Sequence, residues 1–279
     1  MIIKIKEGEY FMRNILNNIF IGFALIAFIL VSCNTKGSEP ATLQDAQGNN
    51  PTTQTPLKPI PAKPADDVAQ ANEAQKQIVI NALKQKVASE QAMQKGKAEK
   101  NNQYGMKDGV FKKLTNTTNN KTYDTADNKS LREKFYASLD WIEKTIEDFG
   151  KIIAQIEADA THKGTWTADL IKAGQNIQEE LDKVNTQIDV KKDKLNSLSL
   201  EKLNELKVNF EEIEKLKKTW KTFVGEVIAD HTADKGSIKN DVEKLAAHIK
   251  TPYDKDIKAV PKSTKDTGAE IKKILDEIK

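Results

Sequence analysis

Cysteine is nearly absent from this chain. Cys33 is the only one in 279 residues, so no internal disulfide forms and no thiolate-rich zinc site is available. Histidine is almost as scarce: His162, His231 and His248 are the three present, and none belongs to an H-E-x-x-H pair. His162 and His231 fall near expected helix ends, where histidine is usually a solvated terminal residue. His248 lies late in a helix beside its apolar stripe. Walker A, G-x-S-x-G, dinucleotide-binding and EF-hand signatures are all missing. Carboxylates are abundant, but a close pair without a pocket specifies no acid–base chemistry. The expectation is a chain with no enzymatic activity, no metal and no cofactor.

Glycine (13 residues) and aromatic residues (6%) are also sparse, which argues for helices over a sandwich or barrel. No segment reads as a strand. An excess of one charge is missing too, with 44 basic and 41 acidic side chains interspersed along the chain. A nucleic-acid partner is therefore excluded. The run Lys215-Leu216-Lys217-Lys218 is expected to be a solvated helix face, the rival reading being a local patch for a polyanion.

A membrane-spanning run is lacking as well. The apolar stretch Ile19 to Val31 is about 13 residues, against roughly 20 needed to cross a bilayer. Its length suits the apolar region of a signal peptide. It ends Leu30-Val31-Ser32-Cys33, the pattern of a bacterial lipobox. Small residues before the cleavage point fit a membrane peptidase, and the thiol that follows can be alkylated by a diacylglyceryl donor. Cys33 is thus the expected lipid attachment site and new N-terminus, with a further acyl chain on its amine. The rival reading is a secretory signal with an unmodified cysteine. Glu7 and Glu9 are unusual in a signal peptide, and a start at Met12 would leave a short basic leader.

Three domains are expected: a signal peptide over 1–32, a tether over 33–65 and a helical domain over 66–279. The tether holds six of the eight prolines (Pro40, Pro51, Pro56, Pro59, Pro61 and Pro64) among Thr, Gln, Asn and Ala, with no aromatic residue. Such a composition buries too little apolar surface to offset the entropy of ordering it. About 30 residues of flexible coil span roughly 30 Å, and a polyproline-like form approaches 100 Å. The tether is either a stalk or an envelope-crossing spacer.

From Asp66 the periodicity turns helical. The first helix, to about Lys100, is favoured by Ala, Gln and Lys propensity. Its stripe of Val68, Ala71, Ile78, Leu83 and Val87 is weak, so it should pack only partly. An irregular connection follows over 101–128, with a short helix around Val110 to Leu114. Ser130 and Glu133 read as a capping box opening one long helix to about Ala160. Its stripe is Leu131, Phe135, Leu139, Ile142, Ile146, Phe149, Ile153 and Ile156. A helix from about Thr165 to Ile188 carries Leu170, Ile177, Leu181 and Val184, with Gly174 allowing a neighbour to approach. Leu203, Leu206, Phe210, Ile213, Trp220, Phe223 and Val227 mark a helix over about 200–230. Ile238, Val242, Leu245 and Ile249 mark a shorter one, and Pro252 and Pro261 interrupt the chain. Thr267 and Glu270 read as a second capping box before a last short helix. Trp141, Trp166 and Trp220 are expected in the core or at its edge. The fold class is all-α, a bundle of about five to seven amphipathic helices behind a lipidated disordered tether, with its well-packed core mainly over 130–250.

One stretch is more specific than its period requires: Leu131-Arg132-Glu133-Lys134-Phe135-Tyr136-Ala137-Ser138-Leu139-Asp140-Trp141. It resembles the "FYSSLDW"-like motif of the family 54 surface lipoproteins of Borrelia, the Lyme-disease spirochaetes, which are related to the complement regulator-acquiring surface proteins. The order of lipobox, polar tether, motif-bearing helix and further amphipathic helices is similar too. The resemblance implies an all-helical lobe lipid-anchored on the outer membrane and exposed at the cell surface. It also implies a role in infection through a host serum or complement protein, factor H among the ligands of some members. The motif itself reads as core packing, so no ligand contact follows from it. The factor H binder of the family resembles a dimer built through its C-terminal helix. Here Pro252 is expected to break that helix, so a monomer is expected. The leading function is adhesion or immune evasion at the cell surface. Its rivals are a structural or periplasmic envelope lipoprotein without a host ligand, and a carrier of a small apolar ligand, for which no polar cluster among the stripes is evident.

Overall fold

The computed structural model describes residues 65–279, and the signal peptide, the tether, Leu30, Val31, Ser32 and Cys33 lie outside them. α-Helices dominate: α1 Ala65–Gln94, α2 Lys129–Ser138, α3 Glu143–Ala158, α4 Thr165–Lys191, α5 Leu200–Thr232, α6 Val242–Pro252 and α7 Val260–Asp276. The all-α bundle is as expected. The only described strands are a two-residue pair, β1 Thr115–Asn116 and β2 Lys121–Thr122, joined antiparallel with Thr115 opposite Thr122.

α4 and α5 form where apolar residues recur at spacings of three and four. α5 starts at Ser199, whose hydroxyl accepts the Lys202 N–H, which satisfies one of the free donors of the first turn. It buries Leu203, Leu206, Phe210, Ile213, Trp220, Phe223 and Val227. α6 is capped in the same way by Asp241 through the Lys244 N–H. α1 packs only in its second half: Val79, Ile80, Leu83 and Val87 are buried, whereas Ala71 and Ile78 are exposed. Ile78 lies outside the three- and four-residue spacing of the buried set, so its place in the expected stripe is corrected.

Further expectations are corrected. The long helix over 130–160 is two helices, broken at Leu139–Ile142. Asp140 and Trp141 there are left-handed, with φ of 54° and 58°. The corner closes as a Schellman turn: Trp141 N–H donates to Tyr136 O at 2.9 Å and Asp140 N–H to Ala137 O at 3.0 Å. Asp140 occupies the position where glycine is usual. Leu139 and Ile146 are buried on either side, so the stripe keeps its phase across the corner and spacing alone cannot reveal the break. Ile142 itself is exposed. Secondly, Ser130 and Glu133 form no capping box. Asn128 precedes the helix, and the Glu133 carboxylate accepts the Glu99 N–H at 3.1 Å.

Thirdly, Pro252 does not end the helical path. It closes α6 and the chain widens into a π-turn over Tyr253–Ile257, with Lys258 N–H bonded to Tyr253 O at 2.9 Å. The wider turn accommodates a residue without an N–H. Pro261 sits in the first turn of α7, where a missing N–H costs nothing. Thr267 and Glu270 are therefore mid-helix, with Thr267 bonded to Ser263 O and Glu270 to Lys273. Finally, the core is wider than 130–250, running from Val79 to Ile278.

The irregular connection accounts for much of that widening. Tyr104, Met106, Val110, Phe111, Leu114 and Tyr123 are buried against α2 and α3. Arg132 holds this segment down. Its guanidinium donates to both Glu99 carboxylate oxygens at 2.8 and 2.6 Å, and to the carbonyls of Tyr123 and Thr125 at 2.5 and 2.7 Å. Both ionic side chains are buried, the bidentate geometry in which such pairs are strong.

Candidate functional site

The buried hydrophobic residues form two clusters. One holds the connection, α2, α3, Leu170 to Ile177 of α4, Trp220 to Val227 of α5 and the segment from Ile238 to Val260. The other holds the second half of α1, Leu181 to Ile188 of α4, Leu203 to Ile213 of α5 and the end of α7. Between them α4 and α5 carry polar residues, Gln178 and Lys217, both buried. Glu90 of α1 meets them: its carboxylate accepts from Lys217 Nζ at 3.1 Å, Gln178 Nε2 at 3.2 Å and Gln94 Nε2 at 3.2 Å.

The polar layer continues to the α2–α3 corner. Lys217 also pairs with Asp140 at 3.0 Å, and Lys221 pairs with the same carboxylate. Burial pushes the Asp140 carboxyl up, but hydrogen bonds and charge from Lys221 and Lys217 outweigh it and hold it below the usual carboxylate range. These pairs anchor a residue whose left-handed backbone costs on the order of 1 kcal/mol. Trp141 is pinned by its Nε1–H bond to Gln94 Oε1 at 2.7 Å. On α4, Asp182 accepts from Gln178 Nε2 at 2.8 Å. Burial, with the nearby Glu90 charge, raises its pKa above the usual value.

The layer forms one wall of an open groove of about 790 Å3. Glu90 and Ala88 of α1, Ala137 of α2, Trp141 of the corner, and Asp182 and Asn185 of α4 are among its lining residues. The expectation that no polar cluster interrupts the stripes is therefore corrected. So is the reading of Lys215 to Lys218 as a wholly solvated face, since Lys217 is only 5% exposed. The sequence carried a signal: Lys217 falls in phase with Phe210, Ile213 and Trp220, and Glu90 in phase with Leu83 and Val87. A charged residue on an apolar stripe needs a buried partner.

The motif from Leu131 to Trp141 is core, with Phe135, Tyr136, Ala137, Ser138, Leu139 and Trp141 all buried. Ser138 Oγ donates to Phe135 O at 2.7 Å and accepts the Trp220 indole N–H at 3.0 Å. Gly174 makes that contact possible. A Cβ there would lie 2.7 Å from Ser138 Oγ and 2.9 Å from the Trp220 ring. Trp220 and Trp141 are core residues, and Trp166 is half-buried at the core edge.

The histidines do not converge. His248 Nε2 lies 2.9 Å from Asp230 Oδ2, and His231 Nε2 lies 3.3 Å from Gln155 Oε1. Burial pushes the His231 imidazole down. His162 sits in the turn before α4. Among the described residues no group of three His, Cys, Asp or Glu side chains is arranged to hold a metal ion, and no helix is long and apolar enough to cross a membrane.

Residues 93–276, from the end of α1 through α7, match the family model of the Borrelia Bbcrasp-1 domain containing proteins. The chain belongs to that family. Solved structures carry the same helical fold. The "Borrelia burgdorferi outer surface lipoprotein BBA64" aligns with a TM-score of 0.61 at 24% identity, over 76% of this chain and 97% of that one. The Lyme disease associated outer surface protein BBA65 from Borrelia burgdorferi aligns at 0.62 and 21%, over 70% and 99%. The Borrelia spielmanii orthologue of BBA64 aligns at 0.56 and 20%, over 78% and 98%. No curated protein sequence matches significantly. The family match thus covers the helical lobe from the end of α1 onward, whereas Ala88 and Glu90, on the α1 side of the groove, precede it.

Proposed function

We propose that the chain is a lipid-anchored outer-surface protein of a spirochaete whose helical lobe binds a host protein, a serum or complement protein in particular, in adhesion or immune evasion. The observation that carries this reading is family membership over residues 93–276, joined to a lipobox ending at Cys33 and a proline-rich tether. The solved structures of similar fold are of Borrelia outer surface proteins. The reading is non-enzymatic: binding by an exposed helical face needs no catalytic constellation, and function rests on the site rather than the fold. The lobe is held to the membrane by the lipid on Cys33.

Two measurements test it. Protease added to intact cells should remove the protein, and protection from protease would favour a structural role beneath the outer membrane. Purified chain from residue 33 onward, with Cys33→Ser, should enrich a host protein from serum by mass spectrometry. A blank with folded, helical protein would contradict the serum-ligand reading.

A further inference from the structure

In the polar layer Glu90 and Asp140 share two ammonium groups, those of Lys217 and Lys221, and Glu133 lines the groove beside Glu90 and Asp182. Asp140 takes both Lys217 and Lys221, and Glu90 takes Lys217. Lys134, on the same rim, is taken by Glu179 at 2.8 Å. Asp182 bonds only to the neutral Gln178 and forms no ion pair among the described residues. An acidic group alone specifies no ligand, but Asn185 adds an independent observation. It stands three residues along α4 from Asp182, on the same helix face. It lines the groove and is only 4% exposed, and neither its amide nitrogen nor its oxygen has a hydrogen-bond partner. Leaving such groups unpaired costs about 1–3 kcal/mol, so a native site of this kind needs an explanation.

We propose that this groove binds a single aliphatic cation, an alkylammonium or alkylguanidinium group, either as a free small molecule or as a lysine or arginine side chain of a partner. The charge pairs with Asp182, and the Asn185 carboxamide oxygen accepts one of its N–H groups. The methylenes lie on Ala88, Ala137 and the Trp141 ring, which also line the groove. Lys95 and Lys97 line it as well, so a second positive charge is repelled and a monocation is preferred. The site does not depend on where in the cell envelope the lobe is displayed.

The test is a titration of 15N-labelled chain from residue 33 onward, with Cys33→Ser, read at the Asn185 side-chain amide and at the indole N–H of Trp141, which also lines the groove and reports on the Asn185 variant. The probes are n-pentylamine for the free source, the peptide acetyl-Ala-Lys-Ala-amide for the side-chain source and n-pentanol as an uncharged control. Saturable shifts with the amine, the peptide or both, and none with the alcohol, are expected. Asp182→Asn and Asn185→Ala should each weaken binding by about tenfold or more, with circular dichroism showing both variants helical. A response to one probe alone identifies the source. No saturable shift up to tens of millimolar, equal response to pentanol, or unchanged affinity in both variants would overturn the proposal.

Discussion

The two hydrophobic clusters are built by different means. The cluster below the polar layer is made from stripes on long helices and is almost wholly aliphatic, with Phe210 its one aromatic residue. The cluster above it gathers Tyr104, Phe111, Tyr123, Phe135, Tyr136, Trp141, Phe149, Trp220, Phe223 and Tyr253. Many of these come from an irregular connection, a ten-residue helix and a π-turn. Long helices give each residue a regular neighbour set, so aliphatic side chains suffice. Short, irregular elements have few backbone bonds of their own and are held by large rings and by buried polar ties such as Arg132–Glu99. Ring pairs show the packing: Phe149 meets Trp220 at 6.1 Å and 88°, and Phe111 meets Phe135 at 6.0 Å and 86°, both edge-to-face.

The sharpest way to break the contrast is to remove the residue that joins the aromatic rings to α5. Trp220→Ala should cost about 3–5 kcal/mol, and should also lose the near-ultraviolet dichroism of the ordered rings. Leu206→Ala in the aliphatic cluster should cost about 2–5 kcal/mol without that spectral loss. Chemical denaturation followed at both wavelengths checks the pair.

Between the clusters, Lys217→Met leaves Glu90 without an ammonium partner and Asp140 with Lys221 alone. The expected loss is about 3–5 kcal/mol, the magnitude for breaking a buried pair from one side. Replacing Glu90 by Leu in the same chain should recover part of it, because two apolar residues strand less charge. A solvated Lys217 would show neither effect.

Gly174→Val tests the joint between Ser138 and Trp220. Both neighbours are fixed by their mutual hydrogen bond, so the added side chain forces a backbone shift worth about 1–3 kcal/mol. Thermal unfolding of the variant should fall, whereas Gly225→Ala, with open space around its Cβ position, should not be destabilised and should gain helix propensity.

What spacing reveals and what it hides follows from these same residues. α4, α5 and α6 were legible because their stripes keep one phase along each helix and their ends carry Ser199, Asp241 or a glycine-containing turn. The α2–α3 corner was hidden because Leu139 and Ile146 keep phase across it while two non-glycine residues take the left-handed turn. The connection over 95–128 was hidden because its buried rings have no period and its anchor, Arg132, lies in another element. The groove was half legible. Lys217 and Glu90 sit on apolar stripes, but that they meet each other, and that Asp182 is left without an ammonium, depends on helix register.

The smallest expected effect is a pH dependence. Asp182 has a raised folded pKa, so its contribution is favourable below the unfolded carboxylate value near 4 and is lost as pH rises through the folded value. Asp140 has a lowered folded pKa, so its contribution is present above the unfolded value and is lost as pH falls through the folded one. Asp182→Asn should therefore stabilise the protein at neutral pH, with the gain fading towards acid. Asp140→Asn should destabilise it at neutral pH, with the difference shrinking in acid. Melting curves at several pH values distinguish the two signs.

The polar layer as the joint between two cores is tested most directly by a double-mutant cycle on Glu90→Gln and Lys217→Met, measured by denaturant unfolding at neutral pH. A coupling energy of about 0.5–3 kcal/mol is expected for two side chains in direct buried contact. Additive effects, within about 0.3 kcal/mol of zero coupling, would contradict the layer as the joint between the two cores.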